Sequence, residues 1–167
     1  MGFEQSKLDE FVGKVITDLG ATMNSALVFI GDKLGLYKEM AKSEGPLTSE
    51  ELAERTRTNE HYVREWLAAQ TCSGYILYDP STRRYTLPLE HALVLADEAY
   101  PAYLSGVFQH FISAIKTEPK ITDSFRTGNG INWGEHDSDF FEGQERFSRP
   151  NYEANLVSNW IPALDGG

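Results

Sequence analysis

The sequence is short of several things, and each shortage removes a class of protein. Cys72 is its only cysteine, so no internal disulfide can form and the chain suits a reducing compartment. No run approaches eighteen consecutive apolar residues, which leaves no candidate transmembrane helix. The opening MGFEQSKLDEF lacks the basic-then-apolar order of a secretory signal, and the expected location is the cytoplasm. Basic stretches are missing as well. The net charge is −10, from 15 Lys/Arg against 25 Asp/Glu, and acids match or outnumber bases in every part of the chain. A nucleic-acid partner needs cations to displace counterions from phosphates, so this balance argues against one. The GNG at 128–130 follows no predicted strand and does not qualify as a phosphate-binding loop.

What is present is helical periodicity. The chain has 167 residues, 41% of them hydrophobic, enough for one domain or a small domain with an appendage. From Leu8 to Ala41 apolar residues recur every three or four positions, which predicts two helices with a break near Gly20. The second of these is apolar around much of its circumference, as expected of a helix central to the fold or buried against a second copy. Thr48 and Glu51 have capping-box spacing, and Asn59 and Gly74 bracket a further helix whose inner face holds Val63, Trp66, Leu67 and Gln70. Cys72 is expected to be a small buried residue of that helix. Two β-prone runs, Tyr75–Tyr78 and Arg84–Leu87, flank DPSTR, where Pro80 favours a loop of several residues. Helix, short helix, helix and hairpin in that order predict a winged helix-turn-helix.

The second half is helical again. Leu104, Val107, Phe108, Phe111, Ile112 and Ile115 form one stripe, with Pro101 suited to the first turn. A short helix closes at Gly128, and NGINWGEHDSD reads as loop. SDFFEGQERFS and RPNYEANLVSNWIPAL read as two helices, with Pro150 near the start of the second. The predicted fold class is therefore mostly α, a winged helix-turn-helix with a small β-hairpin wing and additional N- and C-terminal helices. The expected divisions are 1–40, N-terminal dimerisation helices; 41–90, the winged helix; and 91–167, a helical lid or connector.

Few residues advertise chemistry. The start of the would-be recognition helix offers Glu60, His61, Arg64 and Glu65, two acids for one certain base, whereas base readout in a major groove relies on Arg, Lys, Asn or Gln on a positive surface. Arg83 and Arg84 in the wing suffice for ordinary solvation. Glu135, His136, Asp137, Asp139 and Glu142 lie close in sequence, but their spacing matches no metal motif, and Asp137 or Ser138 is placed to cap the next helix. No metal is expected. His61, His91 and His110 are isolated, and each is expected to be a satisfied surface or core residue. Trp133, Phe140, Phe141, Phe147, Tyr152 and Trp160 crowd one region. Core packing is the default for each, but Trp133 lies in a Gly-rich loop and Phe147 and Tyr152 flank a proline, positions suited to a pocket wall.

ALVFIGDKLGLYKEMA, LTSEELAERT, EHYVREWLAAQTCSGYILYDPSTRRYTLP and FEGQERFSRPNYEANLVSNWIPALDG together resemble the N-terminal winged-helix part of bacterial class I S-adenosylmethionine-dependent methyltransferases, of the small-molecule O-methyltransferase kind. The resemblance runs from about Leu8 to Gly167. It implies a dimerisation and substrate-capping domain, with a Rossmann-like catalytic domain following WIPALDG that these residues do not include. By resemblance the substrate- or cofactor-facing residues are Trp133, Phe147, Arg149, Tyr152, Asn155 and Leu156, with His136 a weak candidate base and no catalytic residue otherwise expected. S-adenosylmethionine is implied for the full-length protein and no cofactor for this chain alone. The implied partners are a second copy, through the N-terminal helices, and a small methyl acceptor, with no membrane and no nucleic acid. Two alternatives stand beside this reading: a winged-helix transcriptional regulator, and a stand-alone ligand-binding or scaffold domain.

Overall fold

The computed structural model describes residues 2–164. Its backbone begins with one 29-residue helix, α1 (Gln5–Lys33), where periodicity predicts two. Gly20 does not break it. Glycine is only about 1 kcal/mol worse than alanine inside a helix, and Gly13 and Gly20 have open space around them, so nothing forces a turn. The helix ends at Lys33, and Gly35, with a φ of 72°, lets the chain turn into α2 (Leu36–Lys42).

The winged helix follows as predicted. α3 (Ser49–Thr56) opens with a complete capping box: the Glu51 amide donates to Thr48 Oγ1 at 3.2 Å, and the Thr48 amide donates to Glu51 Oε2 at 3.0 Å. α4 (Glu60–Cys72) is capped by Asn59, which accepts from the His61 amide at 3.0 Å, and Gly74 follows it with a φ of 75°. Cys72 contradicts its expected burial. It falls on the last residue of α4, on the face opposite Trp66 and Gln70, and is exposed. The wing is β1 (Leu77–Asp79) paired antiparallel with β2 (Arg84–Thr86), in the register Leu77–Thr86, Tyr78–Tyr85, Asp79–Arg84. Leu47 adds a further pair of backbone bonds to Tyr85.

The apolar core sits under this unit. Trp66 and Tyr37 meet edge to face at 5.0 Å between ring centres, over Leu36, Leu52, Val63, Leu67 and Ile76. Their polar ends are satisfied within the core. Trp66 Nε1 donates to Leu27 O at 2.8 Å, the Tyr37 hydroxyl donates to Gln70 Oε1 at 2.6 Å, and Gln70 Nε2 donates to Asn24 Oδ1 at 3.0 Å. These bonds fasten the C-terminal half of α1 to α4. Gly31 makes the approach possible, since a Cβ there would lie 2.3 Å from Trp66.

After α5 (Leu89–Leu95) comes α6 (Ser105–Lys116), which corrects two expectations. It starts four residues beyond Pro101, because the Leu104 amide donates to Val94 O and Ser105 Oγ donates to Leu95 O, holding the intervening chain against α5. More importantly, α6 buries its small polar face. Ser105, Gly106, Gln109 and Ser113 are inside, while Leu104, Phe111 and Ile115 of the predicted apolar stripe are exposed. α7 (Glu118–Thr127) ends at Gly128, with a φ of 76°, as predicted.

The two predicted final helices are one, α8 (Ser138–Asn155), with Pro150 inside it. Proline removes one backbone donor, yet its fixed φ is helical. Pro150 is buried, and the helix continues past it. A π-type turn (Leu156–Trp160) and a short α9 (Ile161–Leu164) complete the described chain. The end of the predicted connector, residues 165–167, lies outside it. The one sheet among the described residues is the wing, and none of their helices is long and apolar enough to cross a membrane.

Candidate functional site

The position of α8 is set by two glycines. A Cβ on Gly143 would lie 2.5 Å from the His110 amide nitrogen and 2.7 Å from Gly106 O, and one on Gly106 would lie 2.8 Å from Gly143 O. α6 and α8 therefore touch backbone to backbone. This explains why α6 turns its small residues inward: no larger side chain fits the crossing.

Polar groups then lock the crossing at one end. Asp137 accepts from the Phe140 amide at 3.2 Å as N-cap of α8, and also from the Ser113 hydroxyl and from Lys116 Nζ at 3.1 Å. The Ser113 bond, with Lys116 behind it, holds the Asp137 carboxyl below its ordinary value. Asp139 accepts from Lys116 at 3.1 Å and Gln109 at 3.2 Å and is lowered chiefly by that lysine. Glu135 is lowered by Asn132 and then by Lys120. The acid-rich segment is thus a set of caps and ion pairs. Among the described residues no cluster of His, Cys, Asp or Glu has the arrangement of a metal site.

Beside these caps, the His136 ring stacks on Phe140 at 4.1 Å with 12° between planes, and its Nδ1 lies 3.5 Å from Thr117 Oγ1. Trp133 stands edge-on to Phe140 and Phe141 and is 66% exposed. Phe140 is buried, as the packing default expects. The other predicted residues sit farther along α8. Phe147 is partly exposed beside the glycine crossing, and Arg149 is clasped by Glu145 at 2.5 Å. Tyr152 packs edge-on against Trp160 at 5.2 Å, with Leu156 one turn on. Asn155 Nδ2 donates to Asn151 at 2.8 Å and its Oδ1 accepts from Asn159 at 2.9 Å. At 1.5 Å rise per residue, Phe140 and Tyr152 are about 18 Å apart along the axis. The structure therefore brings Trp133 together with His136, and Tyr152 with Leu156, but does not join the two groups.

The most developed polar cluster escaped the sequence reading. Arg146 of α8 donates through Nη1 to Asp32 Oδ2 and Gln109 Oε1, both at 2.7 Å. Through Nη2 it donates to Asp32 Oδ1 at 3.0 Å, Glu98 Oε1 at 2.9 Å and the Tyr103 hydroxyl. Glu98 also accepts from Lys38 at 2.6 Å. Burial opposes the charge on Glu98, but the Lys38 and Arg146 bonds outweigh it and hold its carboxyl below the ordinary value. Burial, reinforced by Asp32, pushes the Tyr103 phenol up. The cluster floors a cleft of about 530 Å³ edged by Phe29, Lys33, Glu142 and Arg149. The one sequence signal for it is the polar spacing Ser105, Gln109, Ser113 on α6, every fourth residue opposite an apolar stripe.

The winged helix presents no comparable site. Arg84 forks onto Glu51 with two contacts of 2.9 Å and donates to Pro46 O at 2.7 Å, which holds Glu51 below its ordinary value. On α4, Arg64 lies 3.6 Å from Glu60 and 3.1 Å from His61 Nδ1. Arg64 and Arg84, two of the bases named above as possible nucleic-acid contacts, are thus engaged with acids of the same unit. The remaining histidines are satisfied structurally: His91 Nδ1 meets Tyr75 O and His110 Nδ1 meets Phe140 O, each at 2.9 Å.

Fold and site define a winged-helix module with long flanking helices. Residues 22–97 match the family model of Rv2258c-like winged helix-turn-helix domains. About nine-tenths of the chain shares its fold with roughly half of several solved methyltransferases. Mitomycin 7-O-methyltransferase MmcR is similar at 20% identity and a TM-score of 0.68 over 90% of this chain and 47% of that one. Human N-acetylserotonin methyltransferase, solved with SAM, is similar at 16% identity and a TM-score of 0.65 over 94% and 48%. The riboflavin-derivative dimethyltransferase RosA of Streptomyces davawensis is similar at 17% identity and a TM-score of 0.62 over 93% and 46%. The chain spans about half the length of these structures. No curated protein sequence matches it significantly.

Proposed function

We propose that this chain is the dimerisation and substrate-capping half of an S-adenosylmethionine-dependent methyltransferase that acts on a small molecule, and that it has no turnover by itself. The observation that carries this reading is the shared fold over 90% of the chain but only 47% of mitomycin 7-O-methyltransferase. The apolar faces left open on α1 and α6 support it, since each needs a cover. The described residues do not fit the cofactor. They contain no parallel strand running into a glycine-rich turn, and Gly128 closes the C-terminal end of α7 instead of opening a helix toward a phosphate.

In this reading residues 1–40 pair with a second copy, 41–90 form the winged helix, and the helices from residue 91 onward form the lid. Trp133, Phe147, Tyr152 and Leu156 wall the acceptor pocket, and Arg149 and Asn155 offer polar contacts at its edge. His136 is the sole candidate base, held by Phe140 and Thr117. The chain's contribution to chemistry is to exclude water and orient the acceptor. The whole protein acts in the cytoplasm.

Calorimetric titration of the purified chain with S-adenosylmethionine is expected to give no binding heat, while light scattering gives twice the mass of one chain. Tight cofactor binding by these residues would overturn the division of labour. A salt-sensitive shift of duplex DNA would favour a regulator instead.

A further inference from the structure

α1 packs on its own domain with one face only. Asn24, Leu27, Val28, Gly31 and Asp32 point inward, to Gln70, Trp66 and Arg146. At about 100° per residue, a second line of side chains runs down the far side of the same helix. It comprises Leu8, Val12, Val15, Leu19, Met23, Ala26 and Ile30, all within about 40° of one axis. Leu19 is 61% and Met23 66% exposed, and every described residue before Asn24 is exposed.

This arm is a poor helix in isolation. Residues 5–23 include Gly13 and Gly20, and no side chain caps the N-terminus. An uncapped helix of that length with two glycines is marginal in water unless its apolar face is covered.

The intervals along the line are four, three, four, four, three, four, which is the same in either direction. If two copies of α1 lie antiparallel about a two-fold axis at Leu19, Leu8 faces Ile30, Val12 faces Ala26 and Val15 faces Met23, each twice. Leu19 faces itself. A two-fold contact requires this kind of self-complementarity, in which residue i meets j and j meets i.

We infer that the dimer is built on an antiparallel α1–α1 seam centred on Leu19, with a second copy of this chain as the occupant. The inference rests on the dimer proposed above and adds its axis, direction and register.

The test uses the full chain with Cys72→Ser, which removes its one native thiol. Leu19→Cys in that background is expected to give a covalent dimer as the main product under mild copper–phenanthroline oxidation. Val12→Cys alone gives almost none, and Val12→Cys/Ala26→Cys restores it. Leu19→Lys, on an arm that does not pack on its own domain, weakens the dimer by at least about 100-fold by placing two like charges on the axis. A dimer in light scattering that fails to link through residue 19, or that links through Val12→Cys alone, overturns the seam and leaves dimerisation standing. A monomer at high concentration removes both.

Discussion

Arg146 and Asp32, 114 residues apart in sequence, form a forked ion pair whose side chains are only 13% and 3% exposed. It is the polar joint between α8 and α1, and through Glu98 and Lys38 it reaches α2. A buried charge of this kind is costly alone and tolerable only when fully bonded, so the joint fixes where α8 can sit more than it adds to stability.

Replacing one partner should expose that cost. Arg146→Met leaves Asp32 buried without its cation and is expected to destabilise the fold by about 3 kcal/mol in urea unfolding. Asp32→Leu/Arg146→Met should recover a large part of the loss. Arg146→Lys should not match the native arginine, because an ammonium cannot fork onto Asp32 while reaching Glu98. Equal stability of all three variants would mean the joint is inert.

The glycine crossing makes a contrast available within one residue type. Gly143→Ala and Gly106→Ala should each cost about 1–3 kcal/mol, since the added methyl meets backbone atoms that cannot rotate away. Gly20→Ala, in open space on a helix, should instead raise helix content and stability by up to about 1 kcal/mol. Thermal melts followed by circular dichroism measure all three.

Acid should loosen the molecule at identifiable joints. Glu51 is held below its ordinary value of 4.5 by Arg84, and Asp137 and Asp139 below 3.8 by Ser113 and Lys116 respectively. A lowered carboxyl contributes stability that is fully present above its unfolded value and is lost as pH falls through the folded one. Stability should therefore be flat from pH 7 down to about 5 and fall below about 4.5. Glu51→Gln should flatten part of that fall.

Cys72 should react quickly with a thiol reagent such as DTNB in the native state, and to the same extent as in urea. Cys72→Ser should leave the melting temperature unchanged. Slow labelling would place the thiol inside α4's packing face instead of at its exposed end.

Several of these features were legible from residue order alone. Thr48 with Glu51, Asn59, and the glycines at 74 and 128 mark helix ends because caps and left-handed turns are local chemistry. The inner face of α4 was legible because Trp66, Leu67 and Gln70 meet α1 and α2 within the same unit. Gly20 and Pro150 misled because a residue that disfavours a helix by a kcal/mol or so is overruled when packing or a compatible φ favours continuity.

The face that α6 buries could not be read in the same way. Periodicity finds the apolar side of Leu104, Phe111 and Ile115, but not whether its cover belongs to this chain. Here the small side chains of Ser105, Gly106 and Ser113 let α8 come closer than any apolar contact would, so the polar side is inside. The Arg146 joint was hidden for a related reason: its members come from α1, α6, α8 and the turn before α6, and only the folded chain brings them within bonding distance. Sequence determined which segments coil and where they stop, since those energies act between near neighbours. Tertiary structure decided which sides meet, since close approach and shared charges act between residues that the chain order keeps apart.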